Sequence, residues 1–187
     1  TTEIYTLSLH DALPILWHLG HVRPEQILAP IHGEAWGYRH RARLGVRKVE
    51  KKGGVLIGFH ERRSSYIADI RSCAVLPPHV SALLLPLREL FAALSVAERL
   101  PQVELAVATQ CTALVLRVLD PLNAHDEDLL RQFADRHEVV FYLQPKGPDT
   151  AYRFYPLPGP PLSYALPEFG LELEFRPTDF TDRKSVV

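Results

Sequence analysis

From Tyr38 onward, apolar and basic positions alternate. His40, Ala42, Leu44 and Val46 fall on one side of an extended chain, and Arg39, Arg41, Arg43 and Arg47 on the other. This two-residue period marks a half-buried strand. Lys51-Lys52-Gly53-Gly54 supplies a turn, and Val55 to Phe59 reads as the returning strand of a hairpin. A third short strand is expected around Tyr66 to Ile70, ahead of Cys73 and the chain break at Pro77-Pro78. Upstream, residues 16–28 read as a short helix and turn, with Pro24 opening a second turn that ends before Pro30.

Farther along, residues 79–94 have the length and composition of a helix that Pro86 must kink or divide. Val103 to Ala108 and Ala113 to Leu119 form a second hairpin around Gln110-Cys111-Thr112. Asn123 is a good N-cap for a helix running through Arg136. Asp126, Glu127 and Asp128 lie near its positive end, and Arg131 and Arg136 toward its negative end. Val139 to Leu143 is a further strand, Pro145 to Pro161 reads as a proline-rich loop, and Leu162 to Leu166 and Leu171 to Phe175 have strand character. Hairpins interleaved with helices predict an α+β domain: a mainly antiparallel sheet with two or more helices. There is no internal repeat, no GxGxxG and no Walker sequence.

The chain has 187 residues, enough for one domain or a domain and a fragment, and its 47% hydrophobic and 23% charged residues exclude a disordered chain. A formal net charge of -1 argues against a generally basic nucleic-acid protein. That average hides an asymmetry: Trp36 to Cys73 carries ten Lys/Arg against three Asp/Glu, a net +7, which leaves -8 on the rest. No apolar run approaches the roughly 18 residues of a membrane span. Two cysteines make no disulfide framework, and no signal-peptide pattern is present, so a reducing cytoplasm is expected. The absence of methionine leaves no initiator, so a piece of a longer gene product is expected. Residues 1–15 and 182–187 fit their surroundings badly, read as translated sequencing-adapter sequence, and are set aside.

Arg39, Arg41 and Arg43 lie two apart on one face, so their side chains emerge about 6.7 Å from each other, near the phosphate repeat of an extended single strand. Arginine matches phosphate through paired donors. Arg47, Lys48, Lys51, Lys52, Arg62 and Arg63 extend the charge around the hairpin, and Trp36 and Tyr38 stand beside it, where they could stack on bases. Two readings are open: an RNA-gripping face, or a solvated sheet face whose arginine stems cover apolar surface. Taken alone, Cys73 reads as a small core residue. Cys111 offers it no metal-ligand spacing, and the nine histidines are scattered.

Trp36-Gly37-Tyr38-Arg39-His40-Arg41-Ala42-Arg43-Leu44 resembles the bacterial 23S rRNA uracil-C5 methyltransferases, the iron–sulfur-containing relatives of the tRNA uracil-C5 enzyme. The resemblance continues through Gly58-Phe59-His60-Glu61-Arg62-Arg63-Ser64-Ser65 and Asp69-Ile70-Arg71-Ser72-Cys73-Ala74-Val75-Leu76. It resumes at Tyr164 to Phe169 and ends at Phe175-Arg176-Pro177-Thr178-Asp179-Phe180, so it spans roughly residues 16–181.

The resemblance implies three parts in the whole protein: an OB-like RNA-binding domain, a central α/β domain, and a Rossmann-like domain that binds S-adenosylmethionine. Residues 16–177 match the central one, and residues 178–181 match the opening of the last. It further implies that Cys73 is the fourth ligand of a 4Fe-4S cluster, whose other three cysteines lie upstream in a Cys-x5-Cys-x2-Cys pattern that this chain lacks. The same likeness implies RNA contact from the Arg39, Arg41 and Arg43 face, which Arg47, Lys48, Arg62 and Arg63 extend by their charge, and it matches Phe180, also expected to contact RNA, to the aromatic residue that precedes the family's cofactor segment. The family's chemistry is attack of a cysteine on uracil C6, methyl transfer from S-adenosylmethionine to C5, and proton removal by a base. Its Ser-Cys-Asn-Pro nucleophile sequence matches nothing here, and Cys111 is not its equivalent. The expected function is therefore that of a segment of a cytoplasmic, monomeric methyltransferase that forms 5-methyluridine in 23S rRNA, the segment being inactive alone. The alternatives are a non-enzymatic RNA-binding module and a tRNA uracil-C5 methyltransferase, against which the Cys73 match argues.

Overall fold

The arginine-rich segment folds as β1 (Arg41–Val49) and returns as β2 (Gly54–Gly58), antiparallel, with Val46 opposite Ile57 and Lys48 opposite Val55. The computed structural model describes residues 14–23, 25–26, 33–50 and 54–179. Residues 14–18 form a short helical stretch, but most of the turn expected from Pro24 to Pro30 lies outside the described residues. So do the Lys51-Lys52-Gly53 turn, Phe180 and residues 182–187. The alternation in β1 is physical: Ala42, Leu44 and Val46 are buried, while Arg43 and Arg47 stand in solvent.

The second expected hairpin forms from β3 (Gln102–Val107) and β4 (Thr112–Arg117). With β5 (Val139–Gln144) and β6 (Tyr152–Tyr155) the sheet runs in the order β2-β1-β3-β4-β5-β6. Every neighbouring pair is antiparallel except β4 and β5, which run parallel. A parallel pair needs a crossover, and the helix between them supplies it. A separate hairpin, β7 (Ser163–Leu166) and β8 (Leu171–Glu174), forms a two-stranded sheet. The architecture is the expected α+β class.

Two helical segments stand where one was expected. Helix α1 (Pro78–Ser81) is followed by α2 (Leu84–Ala93), with the break at Ala82 and Leu83. Pro86 is the third residue of α2, in the first turn, where an amide has no intrahelical acceptor to lose. The proline therefore divides the region by setting where α2 begins. Helix α3 (Ala124–His137) starts with a reciprocal capping box: Asn123 Oδ1 accepts from the Asp126 amide at 2.8 Å, and the Asp126 carboxylate accepts from the Asn123 amide at 3.5 Å. Asp126 is fully buried and also accepts from the Ser95 amide at 2.8 Å, which ties the start of α3 to the end of α2.

The helices cover one face of the six-stranded sheet. Leu44, Leu105, Leu114 and Phe141 project from the strands into the same core as Leu84, Phe91 and Leu130 from the helices. The other face is covered at two places only by chain that comes close. Near the tip of the β3–β4 hairpin, Ala106 and Ala113 are small enough for Leu162 and Phe175, at the edges of the β7–β8 hairpin, to pack down on them. Near β2, residues 60–70 fold over Gly45 and Gly58. A Cβ on Gly58 would stand 1.7 Å from the Ala68 carbonyl oxygen, so only glycine allows that approach. Arg88 of α2 fastens this segment by hydrogen bonding to Asp69 and to the Val55 carbonyl.

Two expectations are corrected. No regular strand forms at Tyr66 to Ile70. The segment docks through a single bridge, His60 to Ile67, and through the amides of Ala68 and Ile70, which donate to Phe59 and Ile57. It is bonded to the edge strand β2 and its continuation without forming a continuous ladder. Conversely, the stretch 145–161 contains strand β6, whose Tyr-Arg-Phe-Tyr sequence has β-forming aromatics between flanking prolines. Those prolines are tolerated because β6 is an edge strand. Among the described residues no helix is long and apolar enough to cross a membrane.

Candidate functional site

Between the two covers, the polar face of the sheet carries two rows of side chains. One row is Arg43, Glu104, Val115 and Tyr142, and the next is Gly45, Gln102, Arg117 and Gln144. The first row explains what happens to the arginines of β1. Glu104 sits directly opposite Arg43, is 9% exposed, and accepts from Arg43 Nε at 3.0 Å and from Gln102 Nε2 at 2.8 Å. Arg41 lies 3.7 Å from the same carboxylate and donates to the Pro177 carbonyl at 2.9 Å. Arg39 donates from Nε to the Arg41 carbonyl at 3.2 Å, with its guanidinium 5.3 Å from the centre of the Phe59 ring.

The three arginines are thus unequal. Arg39 and Arg41 are turned into the protein's own hydrogen bonds, whereas Arg43 keeps 65% of its side chain exposed. Arg47 and Lys48 are exposed farther along β1, where Lys48 meets Glu98 at 3.2 Å. Arg62 and Arg63 project into solvent from the segment that crosses Gly58. Trp36 and Tyr38 are 68% and 42% exposed, beside Cys73, because the Gly37 and Arg39 amides pair with Ala74 and Val75. Phe180 lies outside the described residues.

Cys73 is half-buried against the main core, and its amide donates to Ser81 Oγ at 2.8 Å. A 4Fe-4S cluster needs four protein ligands. Among the described residues no group of three or more His, Cys, Asp or Glu side chains is arranged to hold a metal, and Cys111 packs in the other hydrophobic cluster, with Ala106 and Leu162. The residues present therefore offer one cluster ligand and do not by themselves form the site. Burial pushes the Cys111 thiol above its ordinary range, against the opposing charge of Arg153. A thiol held protonated in this way is a poor nucleophile.

Two residues of this face escape sequence reasoning. Glu104 is the sole carboxylate within the β3 strand, and its partner lies 61 residues earlier. Arg117 ends an apolar strand, and its Nε is buried with no hydrogen-bond partner among the described residues. An unsatisfied buried donor costs about 1–3 kcal/mol, so its retention at this position needs a reason.

No family profile matches the chain. Individual relatives do. The chain is 73% identical over 172 residues to a Dechloromonas aromatica protein named 23S rRNA (uracil(1939)-C(5))-methyltransferase RlmD, an alignment that covers 92% of this chain and 40% of that protein. Proteins of the same name from Burkholderia ambifaria and Burkholderia thailandensis are each 66% identical over 166 residues, covering 89% of this chain and 36% of theirs. The chain thus spans about two fifths or less of the length of these relatives. Along nine tenths of its residues the motif resemblance holds, and the chain corresponds to a segment of the 23S rRNA uracil-C5 methyltransferase family.

Proposed function

We propose that the protein to which this segment belongs is an S-adenosylmethionine-dependent methyltransferase that converts a uridine of 23S rRNA to 5-methyluridine, and that residues 16–177 grip the RNA for it. The observation that carries this reading is the 73% identity to a 23S rRNA methyltransferase over 92% of the chain. The methyl group passes from the sulfonium of the cofactor to uracil C5, and the C5 proton leaves. The residues that would attack C6 and remove that proton match nothing in this chain. Its own contribution is electrostatic, and the partnerships above narrow it. Arg43, Arg47, Arg62 and Arg63 keep exposed guanidinium groups for phosphate. Arg39 and Arg41 hold the face in shape, and Phe180 matches in sequence the aromatic residue that precedes the cofactor segment. A target base must leave its stack to be methylated, and a basic face that holds unpaired RNA favours that state.

Cys73 serves in this reading as one ligand of a 4Fe-4S cluster completed by three cysteines elsewhere in the protein. Its half-burial beside the exposed Trp36 and Tyr38 supports such a position at a boundary. The work is cytoplasmic, where ribosomal RNA is modified. The test supplies unmodified 23S rRNA and methyl-labelled S-adenosylmethionine. The whole protein is expected to place label on C5 of a uridine, while the present chain alone transfers none. Label transferred by this chain alone, or none by the whole protein, overturns the assignment of roles.

A further inference from the structure

Where β3 begins and β4 ends, alongside the second half of β1, a cleft of about 580 Å³ opens. Its charged lining is Arg47, Lys48, Arg117 and Glu98, with His60 on the rim that crosses the sheet. Glu98 is taken by Lys48 at 3.2 Å. Arg47 and Arg117 therefore face the cleft with no carboxylate partner among the described residues, and the buried Nε of Arg117 lacks any hydrogen-bond acceptor. Gly45 leaves room beside it for Ile67 and His60: a Cβ there would stand 2.8 Å from Ile67 Cδ1 and 3.2 Å from His60 Nε2. A guanidinium presents its donors as a rigid fork that matches a tetrahedral oxyanion. Two such forks and an imidazole offer more donors than the two oxygens of a carboxylate can take, whereas a phosphate group brings three or four.

We propose that this cleft is a phosphate-binding site in which Arg47 and Arg117 grip one phosphate group from two sides and His60 contacts it from above. Arg117 contributes the part of its guanidinium that lines the cleft, its Nε being closed to solvent. The phosphate chemistry stands on the cleft alone. That the phosphate belongs to the RNA backbone rests on the function proposed above.

The test titrates the full chain, labelled with nitrogen-15, with inorganic phosphate at constant ionic strength while the arginine Nε–H resonances are followed. The Arg47 and Arg117 signals are expected to move and saturate. Arg47→Gln and Arg117→Gln should each weaken phosphate binding about tenfold, the loss of a charge-assisted hydrogen bond. Arg131→Gln, on α3, should leave it unchanged. Arg47 is exposed, so its variant decides the matter even where Arg117→Gln perturbs the fold. Resonances that stay still in tens of millimolar phosphate overturn the site.

A second arm measures binding of a single-stranded oligoribonucleotide across a salt series. Loss of one phosphate contact should flatten the slope of log affinity against log salt by about 0.7 in Arg47→Gln. Phosphate binding with an unaltered slope overturns the RNA source and keeps the site. Neither arm reads methyl transfer, so failure of the proposed activity is seen separately.

Discussion

Leu44, Leu114 and Phe141 on one face of the six-stranded sheet are closed off from solvent, whereas Arg43, one residue away along β1, leaves most of its side chain in water. Both faces come from the same strands, read at odd and even positions. The helix-covered face is continuous and almost wholly apolar, its buried Thr112 hydroxyl meeting His79 of α1 at 3.2 Å. The polar face is patched by two separate covers, holds a nearly buried carboxylate, and carries an orphaned guanidinium donor. Stability needs the first face. The second keeps one buried donor, Arg117 Nε, without an acceptor among the described residues, which makes folding less favourable.

The contrast can be broken from either side. The largest effect is expected from Phe141→Ala, which opens a cavity in the covered face and should cost about 3–5 kcal/mol in urea unfolding. Its RNA affinity, measured under conditions where it stays folded, should hardly change. Next is Gly58→Ala, which forces the Ala68 carbonyl away from the sheet. It should destabilise by about 1–3 kcal/mol as overpacking does, and limited proteolysis should then cut within residues 60–70. Insensitivity to protease in that variant would show that the cover is not held by this contact.

A smaller effect follows from Glu104→Gln. Removing the carboxylate frees Arg43 and Arg41 from their shared counter-charge, at about 1 kcal/mol or less because Arg43 is largely solvated. RNA binding should tighten and its salt dependence steepen. Weaker binding instead would mean that Glu104 positions the arginines. The smallest change in stability, within about 0.5 kcal/mol, is expected for Arg43→Ala on the surface, together with a clear loss of RNA affinity. Unchanged affinity in that variant would favour the solvated-face reading of the arginine row.

What the sequence disclosed was local. The alternation at Ala42, Leu44 and Val46, the turn around Gln110, and the Asn123 cap each express themselves within a few residues, so their elements appear as expected. Strand β6 was hidden because the prolines on either side of Tyr152–Tyr155 outweigh three strand-forming aromatics in any short window. The fate of the arginines was hidden for a different reason. Register across β1 and β3 brings Glu104 to Arg43, and nothing near either residue encodes that pairing. Arg117 looks like the polar end of an apolar strand until Arg47 and His60 are found lining the same cleft.

The position of β1 also dictates an order of events in time. On one side it pairs with β2, its immediate successor, and on the other with β3, some 60 residues later. Strands β3, β4 and β5 and helix α3 follow one another directly and can condense without it. Closing the long loop to β1 costs chain entropy before its contacts return anything. The basic hairpin should therefore dock late, onto a preformed half-sheet. In folding kinetics, Leu114→Ala should give a φ-value of about 0.5–0.8 and Leu44→Ala one near zero; the reverse ranking would place the arginine strand in the nucleus.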